Sequence, residues 1–177
     1  RDQRIVAALP VVGFEDERPR HQALIEAAAR LEVPVEVNTW GAWLLARRAG
    51  ARIFGGPGFG LLNALAADQL ARLGFEEVTA SVEADALKLE ALLCRVRIPC
   101  SVVVFGRPAL MTTRAELPEA VRRAELADRF GARLRARRTR GLWELRPVLP
   151  FDLRALRLPS GFAHAVGDLV GSPDLIV

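Results

Sequence analysis

The feature that most constrains this chain is an alternation. Short apolar runs of strand character change places four times with Ala- and Leu-rich runs at helical spacing. Residues 5–12 are apolar up to Gly13 and read as a buried strand. A loop of acids and bases over 15–20 leads into an Ala-rich helix over 21–31, closed by Pro34. Residues 35–37 read as a second strand, with Asn38 and Thr39 just past its end. A short helix over 40–49 stops at Gly50, a residue suited to the left-handed position after a helix. A third strand over 51–54 meets the loop GGPGFG, 55–60, and a helix over 61–73 ends at Gly74. A fourth strand covers 76–80, and Ser81 is expected to cap a helix over 83–95. Beyond Pro99, the β-branched run over 101–105 (SVVVF) is the most strand-like segment of all.

Such alternation implies parallel strands joined by right-handed crossovers. An open doubly wound sheet and a closed barrel both satisfy it, so the rhythm alone leaves them tied. After Gly106 the rhythm breaks. A helix is expected over 118–128, with Pro in its first turn. Two antiparallel strands are expected over 133–138 and 142–148 around Thr139-Arg140-Gly141. Residues 152–166 have weak helical character, and 174–177 are expected to open a further strand. No low-complexity segment or long linker divides the 177 residues, so a single domain, 1–177, is expected.

Composition narrows function only a little. No run of about 18 apolar residues exists, so neither a transmembrane helix nor a membrane partner is expected. The net charge of +4 is carried almost wholly by Arg, since Lys88 is the single Lys. It permits nucleic-acid contact without demanding it. The run RLRARRTR, 133–140, reads either as an RNA-phosphate strip or as the solvated face of a strand, and its Arg/apolar alternation favours the second. Cys94 and Cys100 cannot build a disulfide framework, and a cytoplasmic location is expected. They read as core residues, because zinc or an iron–sulfur cluster needs three or four ligands and His21 and His164 are distant in sequence. No metal ligand set is expected. GGPGFG lacks the Lys and Ser/Thr of a Walker loop and reads as a tight turn before a phosphate cradle.

Chemistry in parallel α/β sheets sits beyond the carboxyl ends of strands. The candidates there are Asn38, Asn63, Ser81, Glu83, Arg107, Thr113 and Arg114. No nucleophile–base pair is evident among them.

The stretch VVVFGRPALMTTR, 102–114, resembles the U32 peptidase family, the collagenase-like proteases. The likeness extends upstream through Asn63, Leu70, Leu73, Gly74, Ser81 and Glu83, and downstream through LADRFGARLRARR, 126–138, where Leu134 replaces an aromatic residue. It covers roughly residues 34–177. The resemblance implies a partial (β/α) TIM-like barrel with parallel strands. The chain would be an excerpt supplying the later half, with the rest of its own chain completing the barrel. It implies a peptidase acting on a peptide, or an enzyme of RNA or quinone-precursor modification, as relatives are. Arg107 and Arg114 would bind an anionic group, and Asn63 and Glu83 would line the barrel mouth. Relatives hold an iron–sulfur cluster through cysteines, one of them soon after the Ser/Thr, but residues 113–118 here contain no Cys. No cofactor is therefore expected in this segment. The second reading is a cluster-less barrel serving as a binding or scaffold subunit, with RNA as its partner through 133–140.

Overall fold

The computed structural model describes residues 5–139, 141–154 and 162–168. Its elements run β1 (Ala7–Ala8), α1 (Arg18–Arg30), β2 (Val35–Val37), α2 (Trp40–Arg48), β3 (Ile53–Gly55), α3 (Ala64–Arg72), β4 (Phe75–Thr79), α4 (Ala86–Leu93) and β5 (Cys100–Gly106). There follow β6 (Met111–Thr113), α5 (Glu119–Arg123), β7 (Glu125–Ala127), β8 (Arg133–Thr139), β9 (Leu142–Pro147), β10 (Phe151–Asp152) and β11 (Ala165–Asp168). The described residues form two compact units, one of 5–102 with 162–165, the other of 103–139 and 141–154 with 166–168.

Strands β1 to β5 are parallel neighbours in the order in which the chain makes them. That order bears on the two folds left open by the alternation. A doubly wound sheet reverses its strand order at a switch point. Here nothing reverses, and successive right-handed crossovers moving in one direction lay every helix on the same side. With β11 the sheet is a curled half-barrel of six parallel strands, compatible with a partial β/α barrel.

The core lies between this sheet and its helices. Val35, Val37, Ile53, Val78 and Cys100 are buried on the sheet side, against Ile25, Ala46, Ala67, Leu70 and Leu92 of the helices. A side chain as completely buried as Ile25 contributes roughly 2 kcal/mol. Aromatic rings extend this core: Trp40 meets Phe59 at 5.0 Å between centroids, and Phe59 meets Phe75 at 5.3 Å.

Local chemistry explains the helix ends. Thr39, Asn63 and Asp85 cap α2, α3 and α4 by accepting from the backbone N–H groups of Ala42, Ala66 and Lys88. Gly50 after α2 adopts φ +67°, the left-handed conformation expected there. Two helices start later than the sequence suggests. Leu61 is held in a bridge to Ala80, so α3 waits for Asn63. The Ser81 N–H is held by the Leu61 carbonyl, so Ser81 ends the sheet and Asp85 takes the cap. By contrast α1 begins at Arg18, where Pro19 suits a first turn.

In the second unit, β6, β9, β8 and β7 form an antiparallel sheet in that order. The expected hairpin is present, in register from Leu134 opposite Pro147 to Thr139 opposite Leu142. The burial along β8 alternates, with Ala136 buried between exposed Arg135 and Arg137. The helix expected over 118–128 ends at Arg123 instead. Residues Glu125–Ala127 pair with β8, where the Glu125 carboxylate accepts from Arg133 and Arg135. The described part of 152–166 is not helical: Asp152 closes β10, which runs antiparallel to β5, and Ala165 opens β11. Arg140, residues 155–161 and the strand expected over 174–177 lie outside the described residues. Among the described residues no helix is long and apolar enough to cross a membrane.

Candidate functional site

Side chains alternate across a strand, so the residues between the helix-facing ones point to the opposite face. The register aligns Glu36 with Phe54, Phe54 with Glu77, and Thr79 with Ser101. The helix-free face of the parallel sheet thus carries Glu36, Glu77, Thr79 and Ser101, with Asn38 two residues beyond Glu36. Glu77, Thr79, Ser101 and Asn38 are all buried.

Asn38 is the organising residue at the carboxyl end of β2. Its Nδ2 donates to the Leu9 carbonyl at 2.9 Å and to Glu36 Oε1 at 3.3 Å. Its Oδ1 accepts from the Gly58 N–H at 2.9 Å. One amide therefore ties the end of β1, the Glu36 carboxylate and the GGPGFG loop. The loop needs glycine where it meets this amide. A Cβ on Gly56 would lie 2.6 Å from Glu36 Oε1 and would overlap Asn38 Oδ1, and one on Gly58 would lie 2.5 Å from the Asn38 carbonyl. The N–H groups of Gly56, Gly58, Phe59 and Gly60 all donate within the protein. Four donors so committed support a structural turn over a phosphate cradle.

Burial pushes the Glu36 carboxyl above the ordinary range, the Asn38 hydrogen bond offsets part of that, and the charge of Glu77 adds a lesser upward push. Glu77 is only 7% exposed. Its Oε1 accepts from Ser101 Oγ at 2.5 Å, and its Oε2 lies 3.7 Å from Nε2 of His164. The neighbouring Glu76 faces solvent and pairs with Arg52 at 2.7 Å. The two adjacent acids thus have opposite fates, set by the parity of the strand.

The seven residues expected at strand ends fall into both units. In the first, Asn38 is the clamp just described and Asn63 is the α3 cap. Ser81 Oγ accepts from the N–H of Glu83 at 3.2 Å in a tight turn, and Glu83 is exposed. In the second, Arg107 is half-buried and its carbonyl accepts from Arg146 at 2.5 Å. Thr113 Oγ1 accepts from the N–H of Ala115 at 3.0 Å, and Arg114 is exposed. Glu36, Glu77, Ser101 and His164 escape a search confined to strand ends. The available signal was an acid within an apolar strand, Val-Glu-Val at 35–37 and Glu-Glu-Val-Thr at 76–79.

An iron–sulfur cluster does not fit the residues present. Cys94 is exposed at the carboxyl cap of α4, whereas Cys100 is buried in β5 with its thiol pushed up to about 11 by burial. Among the described residues no three His, Cys, Asp or Glu side chains converge as metal ligands. A hollow of about 260 Å³ between α1 and α2, lined by Arg18, Gln22, Glu26 and Arg48, lies on the helical side and shares none of the residues above. Comparison with protein-family models, with curated proteins and with solved structures finds no match.

Proposed function

We propose that this chain belongs to a β/α-barrel hydrolase of the collagenase-like protease type, which cleaves peptide bonds at the helix-free face of its parallel sheet. The observation that carries this reading is the polar lining of that face. A barrel interior that serves only stability is filled with branched apolar side chains. Here Glu36, Asn38, Glu77, Thr79 and Ser101 occupy it. Buried carboxylates cost stability, and sites that tune their protonation are where such groups concentrate. The likeness of residues 102–114 to the collagenase-like proteases supplies the substrate class. That segment leaves the carboxyl end of β5, where barrel enzymes carry their reactive loops.

The test is hydrolysis of a fluorescent denatured-collagen substrate by the full chain. Wild type should release peptide, and Glu77→Gln, on that face, should lower kcat/KM by roughly 10- to 100-fold. Absence of any release above buffer would sink the reading. A role in RNA binding through 133–140 has less support. Arg133 and Arg135 pair with Glu125, and Arg138 lies 3.3 Å from Glu116, so acids already answer much of that charge.

A further inference from the structure

We infer that Glu36 is the general base of this site, taking a proton from the attacking water on Oε2, with Asn38 as the residue that positions its carboxyl. This rests on the hydrolase reading and names the group that carries its proton. Glu36 lies on the helix-free face of β2, half-buried between Ala8 of β1 and Phe54 of β3. Neither of those neighbours carries charge. The charge that acts on Glu36 is that of Glu77 from β4. The glycine loop closes on one side, where Gly56 comes so near that a Cβ there would lie 2.6 Å from Oε1.

Asn38 makes the two carboxyl oxygens unequal. Its Nδ2 has two hydrogens, one given to the Leu9 carbonyl at 2.9 Å and the other to Oε1 at 3.3 Å. Its Oδ1 accepts from the Gly58 N–H at 2.9 Å. A flipped amide would turn an N–H toward that N–H and an oxygen toward the Leu9 carbonyl, so the orientation is fixed. Oε1 therefore faces a donor whether or not the carboxyl is protonated. The proton, when present, belongs on Oε2. Among the described residues Asn38 is the one hydrogen-bond partner of this carboxyl, so Oε2 is the oxygen that meets water. Glu77 is more deeply buried and already accepts from Ser101. A base works best with its pKa near the working pH. Burial moves the Glu36 carboxyl upward in that direction, the Asn38 hydrogen bond offsets part of the move, and Glu77 adds a lesser push.

The chemistry balances without a further reagent. The water oxygen bonds to the peptide carbonyl carbon as one water proton passes to Oε2 of Glu36, and the carbonyl oxygen takes the negative charge. The same proton then passes to the departing nitrogen as the C–N bond breaks and the carbonyl re-forms. The products are a carboxylic acid and an amine, and Glu36 is again a carboxylate.

Glu36→Gln keeps an acceptor for Asn38 and removes only the base. It should lower kcat of the full chain on the denatured-collagen substrate at least about 100-fold, with KM within about threefold. Glu36→Ala should fall as far, and added formate should restore part of it. The acid limb of the wild-type kcat/KM profile should lie above the ordinary glutamate value of about 4.3 and vanish in Glu36→Gln. A readout independent of activity is the carboxyl C=O stretch in infrared difference spectra of wild type against Glu36→Gln, which should titrate above that same value. Wild-type kcat in Glu36→Gln overturns the base assignment and leaves the hydrolase reading intact, whereas no release by wild type overturns both. A Glu36 carboxyl that titrates at or below the ordinary value overturns the base assignment whether or not any substrate is cleaved.

Discussion

Replacing Asn38 by alanine should show how much of the first unit depends on one amide. The substitution removes the donor to the Leu9 carbonyl and the acceptor of the Gly58 N–H. Leu9 is 4% exposed, so its carbonyl would be left buried without that partner, at about 1–3 kcal/mol. Gly58 is exposed and water can reach its N–H, so that bond is worth only about 0.5–1.5 kcal/mol. The sum is about 3 kcal/mol, or roughly 6–12 °C in Tm for a chain of this size. Urea unfolding followed by circular dichroism measures it. Two companions discriminate the mechanism. Asn38→Asp keeps the Gly58 acceptor but sets a second carboxylate beside Glu36, so its loss should shrink as pH falls and the acid regains a proton to donate. Gly58→Ala drives a Cβ to 2.5 Å from the Asn38 backbone carbonyl, which cannot swing aside, and should cost about 1–3 kcal/mol. If Asn38→Ala lies within about 0.5 kcal/mol of wild type, the amide does not tie the three segments and the reasoning is wrong.

Two further outcomes follow from the same face and its neighbour. The Glu36 carboxyl is raised chiefly by burial, so the folded chain keeps a proton that the unfolded chain has lost, and stability should fall as pH climbs from the unfolded to the folded value. Glu36→Gln removes that loss: its urea midpoint should exceed wild type at pH 8 and approach it near pH 4, and equal midpoints at pH 8 would contradict the burial argument. The two thiols should separate cleanly under an aromatic disulfide reagent, with exposed Cys94 reacting in the native protein and Cys100, buried and pushed to about 11, reacting only after unfolding. Rapid modification of both in native protein would show that β5 opens.

Much of the fold was legible because it rests on local signals. Val35–Val37 stands where two valines flanking Glu36 after Pro34 suggest it, and the 133–148 hairpin follows from its Arg/apolar alternation. Boundaries failed where a tertiary contact outcompeted a local preference. Ser81 is a good cap residue, yet its N–H is held by Leu61 and the cap falls four residues later at Asp85. Glu125, Leu126 and Ala127 have fair helix propensity, yet pairing with β8 and two guanidinium partners for Glu125 draw them into a strand. The candidate site was less legible. Looking beyond strand ends found Asn38 but missed Glu36 and Glu77, which lie within strands.

Those two acids were hidden by the feature that makes them informative. In β2, Val35 and Val37 are fully buried under helices, so the strand must be apolar at both flanks of Glu36. In β4, Val78 is buried against the helices and Glu77 faces away from them. Helix packing therefore restricts alternate positions and leaves those between them to be chosen by whatever the other face requires. Stability alone would choose Val or Ile there, since each buried carboxylate carries a desolvation cost that one or two hydrogen bonds offset only in part. The register also lines these acids up on the two strands flanking β3, the strand that supplies Phe54 and the glycine loop. A single buried acid in a barrel sheet can be an isolated tolerance. Two acids sharing one face, half-buried Glu36 held by Asn38 and buried Glu77 held by Ser101, form a polar cluster at positions that helix packing leaves unconstrained.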